Sequence, residues 1–286
     1  MTKTKFKFQK VEGLNIFYRE AGDPKNKTIV LLHGFPTSSH MYREVLDKLS
    51  DEYHLIAPDY PGFGESEYPS PEQFTYSFDH LASIMDKFLE SLSLDEYTLM
   101  VQDYGAPIGY RIATAHPERV KALIVQNGNA YEEGLGTAWA TLKRLWKDRS
   151  PENERAALEA FTLEGIKWQY THGTQNPQAI NPDNWNLDFL KISRPGNHKA
   201  QLDLFYDYRN NVALYPEWQK YLRVHQPPLL ITWGKNDEFF PEAGAEAYKK
   251  DVKEIDYHIY DTGHFALEEF GEEIIANIRS FMRNVK

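Results

Sequence analysis

The chain of 286 residues is 41% hydrophobic and 26% charged, enough for a substantial core in one large domain or two smaller ones. A net charge of −10 and a pI near 5.5 argue against nucleic acid or an anionic membrane as partner, and no basic run contradicts this. Cysteine is absent, which excludes disulfides and thiol chemistry.

The start, Met1 to Phe8, is charged and lacks an apolar core, so no signal peptide is expected. No apolar stretch approaches the roughly 20 residues of a membrane span. The expectation is a cytoplasmic protein with no membrane partner, monomeric or homodimeric. Residues 4–20 alternate weakly around Glu12-Gly13, as a hairpin of edge strands does. Thr28 to Leu32 is a continuous apolar run, as in a strand buried on both faces, and it ends in His33-Gly34-Phe35-Pro36. Thr37-Ser38-Ser39 offers N-caps for a helix carrying Met41, Val45 and Leu49. Tyr53 to Pro58 reads as a strand. Asp59 enters the turn-rich segment after it, where turn bonding is the common role. Residues 75–93 have helical spacing, with Leu81, Ile84, Met85, Phe88, Leu89 and Leu92 on one face.

The stretch Tyr97 to Pro107 organises the rest. A short apolar run ends at Asp103, Gly105 follows, and Pro107 opens an amphipathic segment from Ile108 to His116. Strand, tight turn and helix with one polar side chain on the turn is the layout of a nucleophile elbow. The usual Ser is Asp103, and Val101 stands where Gly would relieve crowding. A carboxyl with an ordinary pKa of about 3.9 is already ionised at pH 7. Attack on an acyl ester would give a reactive anhydride; attack on saturated carbon gives an ordinary ester. The residue type therefore points to alkyl substrates.

Val120 to Val125 is the next strand. From about Tyr131 to His225 the strand and helix alternation stops. Trp139, Leu142 and Trp146 suggest one helix, and Leu158, Phe161, Ile166 and Trp168 another. Residues 171–196 read as loop, and 199–223 resume helical spacing. A strand returns at Pro228 to Trp233. A helix with Ala243, Ala245 and Tyr248, a strand from Tyr257 to Tyr260 and a final helix from Leu267 to Phe281 complete the chain. The class is α/β, with a doubly wound, mostly parallel sheet. Residues 1–130 and 226–286 form the expected core. Residues 131–225 form a helical cap over the carboxyl ends of the strands, where such folds bind ligands.

Asp237 and His264 close two further strand ends. The order nucleophile, acid, histidine is that of α/β-hydrolases. The chain resembles that family over nearly its whole length, and within it the branch with an Asp nucleophile, soluble epoxide hydrolases and haloalkane dehalogenases. The resemblance is strongest at His33 to Pro36, Gln102 to Gly105, Gly234 to Asp237 and Gly263-His264. It implies Asp103 as nucleophile, His264 as base, Asp237 as its acid, and the backbone N–H groups of Phe35 and Tyr104 as oxyanion donors. Dehalogenases usually carry Trp directly after the nucleophile and often Asn after His-Gly; here Tyr104 and Phe35 stand there. Phe35-Pro36 and the segment Phe205 to Asn210 are similar to epoxide hydrolases, whose caps supply tyrosines as proton donors. That places Tyr208, with Tyr170 as its partner, at the leaving oxygen. Val101-Gln102 looks more like dehalogenases, and Trp139 or Trp146 could supply indole N–H groups to a halide. The reading is an epoxide hydrolase acting on a small molecule and water, with haloalkane dehalogenase as the alternative. A non-catalytic receptor on the same fold is the alternative from another class; loss of a triad residue would be its cue, and all three are present. His33, His40, His80 and His116 have structural readings. No metal-ligand spacing and no dinucleotide glycine motif occur, so no cofactor is expected.

Overall fold

The computed structural model describes residues 4–285, so the charged Met1-Thr2-Lys3 lies outside them. β1 (Lys5–Val11) and β2 (Leu14–Ala21) form the hairpin, with Glu12 and Gly13 both at positive φ, as a two-residue turn joining twisted strands requires. β3 (Thr28–Leu32) is buried throughout. The helix expected from Ser39 begins instead as a 3-10 turn, Ser39–Tyr42, capped by Ser38, and only α1 (Arg43–Leu49) is α-helical. β4 (His54–Pro58) and α2 (Phe78–Ser91) follow; α2 is capped by Ser77 and buries the predicted apolar face. β5 (Tyr97–Gln102) leads into α3 (Gly105–Ala115), which starts earlier than Pro107 suggested. β6 is Val120–Gln126.

Between β6 and β7 the regular elements are all helical. α4 is Ala140–Lys147 and α5 is Pro151–Ala157. α6 (Leu163–Thr171) is a separate helix from α5, because the Thr162 side chain caps it at Gly165 N and ends the preceding turn. Residues 171–196 are not all loop, as expected from their Asn, Pro and Gly; they contain α7 (Pro182–Ile192). Asn181-Pro182 is a cap followed by a first-turn proline, and those residues also signal turns. α8 (Asn197–His225) is the longest helix. β7 (Leu229–Gly234), α9 (Glu242–Ala247), β8 (Ile255–Tyr260) and α10 (Ala266–Asn284) complete the fold. Among the described residues no helix is long and apolar enough to cross a membrane.

The eight strands lie in the order β1-β2-β4-β3-β5-β6-β7-β8; β1/β2 and β2/β4 are antiparallel, the rest parallel. From β3 the chain winds outward through β4, then returns to β5 and winds the other way. The crevice at the carboxyl ends of β3 and β5 is thus a topological switch point. Phe35 and Asp103 both lie just beyond those two strand ends.

Candidate active site

Asp103 follows β5 with φ 49, a left-handed conformation that costs a non-glycine residue about 1–3 kcal/mol. Two glycines make the corner possible. A Cβ on Gly105 would overlap the Leu32 carbonyl oxygen. A Cβ on Gly109 would fall 2.6 Å from Val101 Cγ1, so the space that glycine usually leaves two residues before the nucleophile is here left by α3.

The turn presents the Asp103 carboxylate in two directions. Oδ1 accepts the Phe35 N–H at 2.6 Å, and the Tyr104 N–H also bonds the carboxylate. Oδ2 lies 4.0 Å from His264 Nε2. His264 Nδ1–H donates to Asp237 Oδ2 at 2.7 Å. The triad and both amide donors named from the sequence therefore converge on one point. Burial pushes the Asp103 carboxyl up to about 6, against the opposing effects of the His264 charge and the two amides. Burial pushes the His264 imidazole down, but Asp237 and then Asp103 prevail and hold it above the ordinary histidine value.

A cavity of about 270 Å³ opens over the carboxylate. Phe35, Asp103, Tyr104 and His264 form its floor; Trp139, Leu142, Trp168 and Phe205 are among the helical residues around it. Its walls are mainly apolar, which suits an uncharged substrate.

The two tyrosines expected at the leaving group do not line this cavity. The Tyr170 hydroxyl is committed to Asp188 Oδ2 at 2.5 Å, and its ring stacks on Phe265 at 3.9 Å. Tyr208 is fully buried, with its ring against Trp139 at 4.4 Å and Tyr104 at 6.1 Å. Its hydroxyl faces that of Tyr215 without a well-formed hydrogen bond. Both candidate indoles are spent on backbone: Trp139 Nε1–H donates to Phe239 O and Trp146 Nε1–H to Phe205 O, each at 2.8 Å. Asp59 accepts from Ser39 N and Glu65 N and holds the turn after β4. His33 is buried between Tyr60 and Phe63, and burial drives its imidazole down to about 4.

Two residues that sequence reasoning passed over belong to the site. Asn127, at φ 41 just beyond β6, donates from Nδ2 to Asp237 Oδ2 at 2.9 Å and accepts the Gly234 N–H on Oδ1. Gln102 Nε2 lies 2.8 Å from His264 Nε2. A polar residue ending a buried strand, as both do or nearly do, was the available signal. Among the described residues one group could hold a metal ion, Asp86, Glu90 and His116. Arg119 already sits against both carboxylates, and none of the three lines the cavity.

A doubly wound sheet with a carboxylate elbow at its switch point, backed by a histidine and an acid on later strands, defines the hydrolase class built on this fold. Residues 27–270 match the profile of the family described as alpha/beta hydrolase fold, and the chain belongs to that family. It is similar to the uncharacterized hydrolase YNR064C of Saccharomyces cerevisiae, 44% identical over 94% of this chain and 95% of that protein. It is 25% identical to epoxide hydrolase 2 of Caenorhabditis elegans over 84% of this chain and 69% of that one. It is 41% identical to haloalkane dehalogenase 2 of Mycobacterium tuberculosis over a shorter segment, 35% of this chain and 34% of that protein.

Proposed function

We propose that the chain hydrolyses epoxides through a covalent alkyl ester on Asp103, with residues 131–225 acting as a cap over the core of residues 1–130 and 226–286. The observation that carries this reading is the buried Asp103 carboxylate, with Oδ1 on backbone N–H groups and Oδ2 facing the base. Oδ2 attacks a ring carbon, the C–O bond breaks, and its electron pair stays on oxygen. That oxygen takes a proton, for which Tyr208, buried directly behind the cavity-lining Tyr104 and Trp139, is the candidate donor. His264, oriented by Asp237, then removes a proton from water, and the water oxygen bonds to Asp103 Cγ. The oxyanion forms on Oδ1, against the Phe35 and Tyr104 amides, which in comparable sites contribute about 3 kcal/mol per donor. Collapse expels the alcohol oxygen with the proton from His264. The remaining carboxyl proton returns to Tyr208, leaving a diol and the resting enzyme.

Three observations favour an epoxide over a halide. The two indole N–H groups that would cradle a halide are bound to backbone carbonyls. Tyr208 retains an uncommitted, buried hydroxyl against the cavity-lining Tyr104 and Trp139. A relative named epoxide hydrolase matches along most of the chain in sequence, whereas relatives named haloalkane dehalogenase match 35% to 40% of it. Haloalkane hydrolysis remains the second reading, favoured by those shorter but closer matches. The test pairs two substrates with a trapping variant. Styrene oxide should yield diol, and His264→Gln should accumulate substrate mass on the peptide bearing Asp103. Bromide release from bromoalkanes without diol formation would reverse the substrate order, and mass on another peptide would remove Asp103 from its role.

A further inference from the structure

Building on that ester mechanism, we propose that Gln102 seats the hydrolytic water. Gln102 ends β5 directly before the nucleophile and is fully buried. Its Nε2 lies 2.8 Å from His264 Nε2. Its Oε1 is buried and has no hydrogen-bond partner among the described residues, an exception that calls for a reason. That oxygen crowds Gly34: a Cβ there would overlap Oε1 and fall 2.7 Å from Asp103 Oδ1. One amide thus touches the base and reaches toward the carboxyl group. Between base and carboxyl lies the 4.0 Å gap from His264 Nε2 to Asp103 Oδ2, too long for a hydrogen bond.

The amide serves the two half-reactions in turn. While the ester forms, no proton is removed, and the Gln102 amide lies against Nε2 and steadies the ring. Once Asp103 is esterified, a water displaces the amide from Nε2. It donates one O–H to His264 Nε2 and the other to Gln102 Oε1, which leaves a lone pair toward Asp103 Cγ. The new C–O bond forms from that pair, and the Cγ–Oδ1 π pair moves onto Oδ1. The first proton passes to Nε2, while Gln102 neither gains nor loses one. An amide suits this position because it offers a donor and an acceptor on adjacent atoms.

Gln102→Met keeps the length and removes both polar atoms. Slowing ester hydrolysis alone lowers kcat and KM by the same factor and spares kcat/KM. The expected result is a joint fall of about tenfold to a hundredfold, the loss of one hydrogen bond to a reacting group, with ester accumulating on Asp103 in a rapid quench. A fall in kcat/KM at unchanged KM, as a distorted elbow would produce, overturns the proposal; so does absence of ester. Gln102→Glu has the same shape, keeps the acceptor and places a negative charge beside the imidazole. Its kcat should recover at alkaline pH, with the acid limb displaced upward. An unmoved limb overturns the proposal, and this variant decides the matter alone if Gln102→Met does not fold. His264→Gln separates the two levels. If it accumulates no ester, the ester mechanism fails. If it does and Gln102→Met does not, only the role of Gln102 falls.

Discussion

Lowering the pH from 7 to 5 tests the burial of the nucleophile. In the proposed mechanism Asp103 must be ionised to attack, and its carboxyl stands at about 6 rather than 3.8 because burial penalises the charge. The upward shift of about two units corresponds to about 3 kcal/mol of differential interaction. Activity in the first step is therefore present above about pH 6 and lost as the pH falls through it. About nine-tenths of the sites are ionised at pH 7 and about one-tenth at pH 5, so kcat/KM should fall about tenfold. An unshifted aspartate would lose less than about a tenth of its activity over the same range. The assay is kcat/KM for styrene oxide between pH 4.5 and 8.5, which reports groups of the free enzyme. The rate of ester formation in His264→Gln, measured in a single turnover, isolates the same step. Its acid limb should lie higher than in the wild type, because the imidazolium that opposes burial is gone. A wild-type limb near pH 4, or one that His264→Gln leaves in place, would refute the argument that a buried, histidine-coupled carboxylate attacks.

Three other perturbations have defined outcomes. Tyr208→Phe should cut diol formation about a hundredfold, the usual size of a general-acid contribution, while halide release from a bromoalkane, which needs no proton, stays within about threefold. Asn127→Ala removes the 2.9 Å bond to Asp237 and leaves the Gly234 N–H unpartnered. It should lower kcat by about tenfold and depress Tm, a loss of roughly 1–3 kcal/mol measurable by calorimetry. Asp188 is buried on α7, and burial raises its carboxyl to about 7. A folded-state value above the unfolded one adds stability at low pH that is lost as pH rises through about 7, so wild-type Tm should drop between pH 5.5 and 8.5. Asp188→Asn should flatten that drop, and a Tm profile identical to wild type would show that Asp188 does not titrate in this range.

The strand ends were legible because buried parallel strands leave continuous apolar runs, and a polar residue at the end of such a run is conspicuous. Asp103, Asp237 and His264 stand out in this way, as does the His33-Gly34-Phe35-Pro36 turn. Gln102 and Asn127 follow the same rule, yet each adjoins a more conspicuous neighbour, and nothing local reveals that its partner lies 162 or 110 residues away. The helical segment was least legible. Asn181-Pro182 caps a helix with the residues that elsewhere make turns, and Thr162 breaks an apolar pattern that reads as continuous. The destinations of the aromatic polar atoms were not legible either. Sequence cannot tell a free indole N–H from one bonded to a carbonyl across the fold, as in Trp139 and Trp146.

In the proposed mechanism the charge on Asp103 couples the two half-reactions. In the resting site it is one of the groups holding the His264 imidazole above its ordinary value, which favours the imidazolium, a poor base. The first step does not need a base, so this is no handicap. It also lowers the Asp103 carboxyl against burial and keeps more of the nucleophile ionised. Ester formation then removes the negative charge. The imidazole loses that support while its burial is undiminished, so its affinity for the proton falls when a neutral base is required. A serine at this position would start neutral and could not produce that change. On the proposed mechanism the aspartate at the elbow alters more than the nucleophile: the same carboxylate that attacks carbon adds to the hold of Asp237 on the His264 proton and gives up its share before the step that follows.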